Sequence, residues 1–87
     1  MYDLTEFQRD LLYPIAGLEQ PSGLRIKEEL EQYYTGPVHA GRLYPNLDTL
    51  VDKGLVTKES KDARTNRYSL SDRGWRELKA RREWEQE

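Results

Sequence analysis

The chain has 87 residues, with 14 Lys and Arg against 16 Asp and Glu and a formal net charge of −2. A single domain of this size buries only about 60–65% of the surface its unfolded chain exposes, so a second copy would help to stabilise it. The lack of cysteine and the single histidine exclude a disulfide framework and any ordinary zinc site, and no apolar run approaches the roughly 18 residues that span a bilayer, so a cytoplasmic chain without metal, cofactor or membrane contact is expected.

Leu4, Phe7, Leu11, Ile15 and Leu18 recur at helical spacing, and Thr5 to Gln8 fits the S/T-x-x-E/Q capping box, so residues 5–18 read as the first helix. Pro14 lies inside it and predicts a kink or a short 3₁₀ stretch. Ser22 is the N-cap of a second helix over 22–34, with Ile26, Leu30 and Tyr33, joined by Tyr34, facing inward. Thr35-Gly36-Pro37 ends that helix, and the short break before the next one is a helix-turn-helix spacing.

The rest of the chain is organised around residues 40–54, an amphipathic helix over 40–53 stopped by Gly54. Leu43, Leu47, Leu50 and Val51 form its apolar stripe. Arg42, Asn46, Thr49 and Lys53 recur at i, i+4, i+7 and i+11 and are assigned to the opposite face, with Asp48 and Asp52 displaced to the side. These are residue types that reach phosphates and base edges: Arg42 and Asn46 suit guanine and adenine, Thr49 a thymine methyl or a phosphate, and Lys53 the backbone. Pro45 fits only if regular bonding starts close to Gly41 or Arg42, which sets Arg42 near a helix N-terminus that favours phosphate. His39 reads as a cap or surface residue, and Tyr44 as a packed residue at the edge of the stripe.

After Gly54 the period changes from helical to two. Residues 55–60 and 67–70 read as strands, with Val56, Tyr68 and Leu70 inward and a polar tip over 61–66. This hairpin, residues 55–70, is a wing. Lys61, Arg64 at the apex and Arg67 are its candidate contacts, Arg64 for a minor groove. Ser71-Asp72 then starts a last helix over 72–85, whose Trp75 and Leu78 should complete the core. Arg73 and Arg76 near its start suit flanking phosphates. Ala80 and Trp84 lie on a second side, so Trp84 reads as an interface anchor of a two-fold homodimer, with Ala80 and Tyr2 beside it.

The charge is unevenly distributed. Residues 53–82 carry ten basic residues against four acidic, a net +6, whereas residues 1–52 carry four against nine. The local field, not the total, steers a polyanion. The expected architecture is one domain, 1–87, of mainly α (α+β) class: a winged helix-turn-helix with three helices, a two-stranded wing and a C-terminal helix. Catalysis is excluded by the absence of a glycine-rich phosphate loop, of a cysteine nucleophile and of Ser and acid partners for the one His. The alternative to DNA binding is a protein-interaction module without DNA readout, supported by the net negative charge and the Glu residues of the second helix.

The segment Gly41-Arg42-Leu43-Tyr44-Pro45-Asn46-Leu47-Asp48-Thr49-Leu50-Val51-Asp52-Lys53-Gly54-Leu55-Val56 resembles the G-x-L-Y-P-x-L-x-x-L-x-x-x-G-L-[IV] signature of the PadR-like winged-helix transcription regulators. Ile15-Ala16-Gly17-Leu18 and Ser22-Gly23-Leu24 look like that family's first helix end and the step after it, with Leu24 where many members carry Tyr. Arg67-Tyr68-Ser69-Leu70-Ser71-Asp72-Arg73-Gly74 is similar to its wing strand and Y-x-L-[ST]-x-x-G helix start. In brevity and acidity the chain resembles short haloarchaeal members, including halophage repressor-like proteins. The resemblance implies a homodimeric repressor of double-stranded DNA with its third helix in the major groove and its wing near the minor groove. Two-fold symmetry predicts a palindromic operator with half-sites about one helical turn apart. Some members bind flat aromatic ligands between dimer-related tryptophans, so Trp84 also raises a planar aromatic effector. Many members carry a longer C-terminal helical region, where here only one helix fits.

Overall fold

The computed structural model describes residues 4–60 and 65–80 and the helical backbone of 81–85. The elements run α1 (Glu6–Gly17), α2 (Gly23–Tyr34), α3 (Ala40–Asp52), β1 (Val56–Ser60), β2 (Asn66–Leu70) and α4 (Asp72–Glu85), a winged helix of α+β class.

Local chemistry sets each boundary. Both halves of the capping box form at α1: the Gln8 N–H donates to Thr5 Oγ1 and the Thr5 N–H to Gln8 Oε1, each at 3.1 Å. The helix runs unbroken through Pro14, so the expected 3₁₀ stretch is absent. Ser22 caps α2 by accepting from the Arg25 N–H, and α2 ends at Thr35 with a left-handed φ of 57°. At α3 the His39 carbonyl accepts from both Arg42 and Leu43 at 3.0 Å, while the His39 side chain makes no capping bond. Pro45 is therefore the sixth helical residue, deeper than the first turn in which the sequence reading could accommodate it. Pro45 and Gly41, whose carbonyl loses its donor, are both exposed, so water can take the missing partner's place. Gly54 stops the helix with φ 78°.

The core is a single cluster at the junction of α1, α2, α3 and the hairpin, with Leu11, Ile26, Leu43, Leu47, Leu50 and Leu55 fully closed from solvent. Truncating one such leucine to alanine typically costs about 2–5 kcal/mol. β1 and β2 pair antiparallel, Val56 opposite Leu70 and Lys58 opposite Tyr68, and Val56, Tyr68 and Leu70 are buried as the period-two pattern requires. The Tyr68 N–H donates to the Pro21 carbonyl at 2.9 Å and Ser22 bridges Arg67, so the segment before α2 forms a short third edge on β2.

A compact joint ties the end of α3 to the start of α4. The Ser71 N–H donates to the Leu55 carbonyl at 3.0 Å, and Ser71 Oγ donates to the Gly54 carbonyl at 2.6 Å while accepting from the Gly74 N–H at 3.0 Å. The approach is so close that a Cβ on Gly74 would collide with the Leu55 carbonyl oxygen.

Two expected core residues lie outside. Trp75 is 48% exposed, because the close approach at Gly74 rolls α4 onto Gly74 and Leu78, one turn apart, and carries Trp75 outward. Tyr33 is 74% exposed, and Tyr34 packs against the core in its place. Tyr34 wins because α1 offers it both a ring, Phe7, and an acceptor, Asp10. Among the described residues no helix is long and apolar enough to cross a membrane.

Candidate nucleic-acid interface

The leucine stripe orients α3. With Leu43, Leu47 and Leu50 at 0% exposure, the side turned fully outward carries Gly41, Pro45, Asp48 and Asp52, all exposed. Arg42, Asn46, Thr49 and Lys53 do form one row, but at 3.6 residues per turn that row lies about a quarter turn from the stripe, on a shoulder. The expected opposite face is thus corrected. The carboxylates of Asp48 and Asp52, not the Arg42 row, point outward from the helix.

The first shoulder is tied down against α1. The Arg42 guanidinium stacks 4.0 Å above the ring of Phe7, itself buried, and Phe7 lies 6.3 Å from Tyr34. Tyr34 donates its hydroxyl to Asp10, and burial, reinforced by that carboxylate, pushes the phenol well above its ordinary pKa. Asn46 Oδ1 accepts from Gln8 Nε2 at 2.9 Å, and its Nδ2 donates to the Arg42 carbonyl at 2.7 Å. Both ends of the Asn46 amide are engaged within the domain. Thr49 donates its hydroxyl back to the Pro45 carbonyl at 3.0 Å, and Lys53 is the half-buried C-cap.

The second shoulder faces the wing and the start of α2. Tyr44 lies so close to Gly23 that a Cβ there would sit 2.5 Å from its ring. Asp48 Oδ1 stands 3.5 Å from Lys58 Nζ on β1, an ion pair that bridges α3 and the wing. Burial, followed by the nearby Asp48 and Tyr44, raises the Tyr68 phenol above its ordinary pKa, so Tyr68 stays a neutral floor beneath this pair.

The remaining predicted contacts scatter. Arg67 Nη1 donates to the Gln20 carbonyl at 3.4 Å, so this side chain reaches toward the α1–α2 connection. Arg73 lies over Gly54, at the C-terminal end of α3, where a cation complements the helix dipole. Arg76 and the interface candidate Ala80 are exposed on α4. Lys61 and Arg64 of the wing tip, Tyr2 and the Trp84 side chain lie outside the described residues. Among the described residues no group of three or more His, Cys, Asp or Glu could hold a metal ion.

Sequence reasoning missed the Gln8–Asn46 bond, the Arg42–Phe7 stack and the Asp48–Lys58 pair. The capping box was a usable signal for Gln8, since its Oε1 returns to Thr5 and leaves Nε2 to donate elsewhere. Nothing local names a partner 38 positions away.

Residues 11–80 match the model of the Transcriptional regulator PadR-like family. The chain belongs to that family. It is similar to RosR of H. salinarum, with 51% identity over 94% of this chain and 74% of RosR and a TM-score of 0.89. Bacillus subtilis PadR in complex with operator DNA is 22% identical over 87% of this chain and 46% of that protein, with a TM-score of 0.75. Streptococcus pneumoniae FabT in complex with DNA is 16% identical over 97% of this chain and 56% of that protein, with a TM-score of 0.78. At those lower identities the likeness concerns the winged-helix fold alone. No curated protein sequence matches the chain. Membership places the PadR-like chain among transcriptional regulators and not among enzymes.

Proposed function

We propose that this PadR-like chain is a sequence-specific double-stranded DNA-binding repressor that acts as a homodimer on a palindromic operator. The observation that carries the reading is α3, set on the surface by its buried leucine stripe with the hairpin ion-paired beside it. A surface helix flanked by a wing is the form that enters a major groove. The net +6 of residues 53–82 adds the positive field that draws a duplex, and the winged-helix neighbours solved with DNA support the same use of the fold. Lys53, Lys61, Arg64 and Arg73 are the proposed phosphate and minor-groove contacts, with Arg67 beside them. Arg42 and Asn46 act first by holding α3 against α1, while Thr49 bonds back within α3; all three are proposed to meet the duplex from that shoulder. Ala80, Trp84 and Tyr2 are assigned to the dimer interface, and the exposed Trp75 adds an apolar surface on another side of α4. A planar aromatic effector between the Trp84 side chains of two copies belongs to this reading, and quenching of tryptophan fluorescence by planar dyes tests it.

Asp48 and Asp52 on the outward side of α3 favour a second reading, a winged helix that meets a basic protein surface. Selection of bound sequences from a random duplex pool, in moderate and in high salt, separates the two, because affinity without a stated salt has no meaning. A palindrome enriched at both salts is expected. No enrichment at either salt, with the protein folded, leaves the interaction module.

A further inference from the structure

The side of α3 turned outward is acidic, which is unusual for a helix meant to meet phosphates. Of its exposed residues, Gly41 has no side chain and Pro45 has neither a backbone N–H nor a polar group. On the shoulder, Tyr44 packs its ring edge on Gly23 and stays 41% exposed. Among the four residues turned fully outward, side-chain hydrogen bonding therefore rests on two carboxylates, Asp48 and Asp52. A carboxylate only accepts, and phosphates repel it, so in a major groove its partners are the exocyclic amino groups of the bases. The two differ in one respect. Asp48 has Lys58 Nζ at 3.5 Å, held on the neighbouring strand, and its own side chain is still 61% exposed. The ammonium screens the carboxylate from the phosphates while most of the side chain stays accessible.

Resting on the DNA-binding reading, we infer that Asp48 is a specificity-determining residue that accepts a hydrogen bond from the N4 amino group of one cytosine per half-site, with Lys58 as its positioning residue and contact to the adjacent phosphate. Cytosine is favoured over adenine by the edges beside the two amino groups. Adenine N6 is flanked on its own base by the acceptor N7, which repels a carboxylate, whereas cytosine N4 is flanked by a C5–H. The same pair sets the position of the wing. One ion pair thus joins the element that reads the base to the element that follows the backbone.

The test measures binding of wild type, Asp48→Ala, Asp48→Asn and Lys58→Met to operator duplexes that carry each of the four base pairs at every half-site position, with thermal melting to check folding. Wild type should lose roughly 5- to 150-fold in affinity when one C·G pair is replaced. Asp48→Ala should compress that loss to within about 3-fold and leave the other positions unchanged. Asp48→Asn should move the preference toward adenine, which an amide pairs with in two places. Lys58→Met should weaken binding to all duplexes, reduce the salt slope by about one unit and relax the preference at the same C·G pair. An Asp48→Ala profile identical to wild type at every position, or merely tighter throughout, overturns the assignment while DNA binding stands. A wild type with no preferred base anywhere overturns the DNA reading and this inference together.

Discussion

The two shoulders of α3 are built from similar polar residues and serve different ends. On one, Arg42 and Asn46 turn back onto Phe7 and Gln8 of α1 and fix the roll of the helix. Next to the other, on the outward side, Asp48 meets Lys58 of the wing across an exposed gap and remains open to a partner. The contrast teaches that the residue type most suited to a base edge is not thereby the residue that reaches one. A long or amide-bearing side chain beside an aromatic ring or a half-satisfied glutamine turns toward that partner, even where, like Arg42, it stays exposed. The short Asp48 carboxylate, by contrast, meets only the exposed Lys58 ammonium at 3.5 Å and keeps 61% of its side chain in solvent.

The largest effect should come from removing the joint that ties the end of α3 to α4. Gly74→Ala sets a methyl group against the Leu55 carbonyl, backbone against backbone, with no flexible side chain to yield. It should destabilise by about 3 kcal/mol. That corresponds to a fall of roughly 10–20 °C in Tm for a domain of this size, measured by calorimetry. A Tm within a few degrees of wild type would mean that α4 can slide, and that the roll of α3 does not depend on it.

Next is Asn46→Ala, which leaves Gln8 Nε2 without its acceptor in a half-buried site and should destabilise the free protein by about 1–2 kcal/mol in urea unfolding. Asp48→Ala in the same assay should stay within about 0.5 kcal/mol, as an exposed substitution does. The reverse order of the two would break the comparison outright. Arg42→Ala sharpens it further. Loss of the stack on Phe7 should cost about 0.5–1 kcal/mol without DNA present. Unchanged stability with a sharp fall in affinity would return Arg42 to the role of base reader that its position in the sequence suggests.

The smallest effect lies in the turn that leads into the first shoulder. Glu31 accepts from the Val38 N–H at 2.9 Å and from Lys27 at 3.0 Å, and these two partners, the backbone bond first, hold its carboxyl below its ordinary value of 4.5. A lowered value in the folded state means that the contribution is fully present above the unfolded value. It fades as pH falls below 4.5 and through the folded value. Urea unfolding between pH 6 and about 3 should show wild type losing stability faster than Glu31→Gln. Parallel curves would show that the carboxylate adds nothing to this turn.

Much of the fold was legible because its signals are local. The capping box at Thr5, the cap at Ser22, the leucine stripe of α3, the stop at Gly54 and the period-two strands all use partners within a few residues. The misses share one cause. Tyr33 and Tyr34 flank the inward direction of α2 almost equally, and the choice went to Tyr34 because Phe7 and Asp10 on another helix received it. Trp75 was displaced by a backbone approach at Gly74 that no periodicity encodes. The Arg42 row was identified correctly as a row, but its angle to the core depended on where three leucines settled.

From the amino-acid sequence alone came the element order, the winged-helix class, the family and the asymmetry of charge, since these depend on spacing, caps and composition. Tertiary structure alone decided which shoulder of α3 is open. That choice rests on pairings between residues far apart in the chain: Gln8 with Asn46, Phe7 with Arg42, Asp48 with Lys58. Such pairings form only once packing has brought the elements within reach.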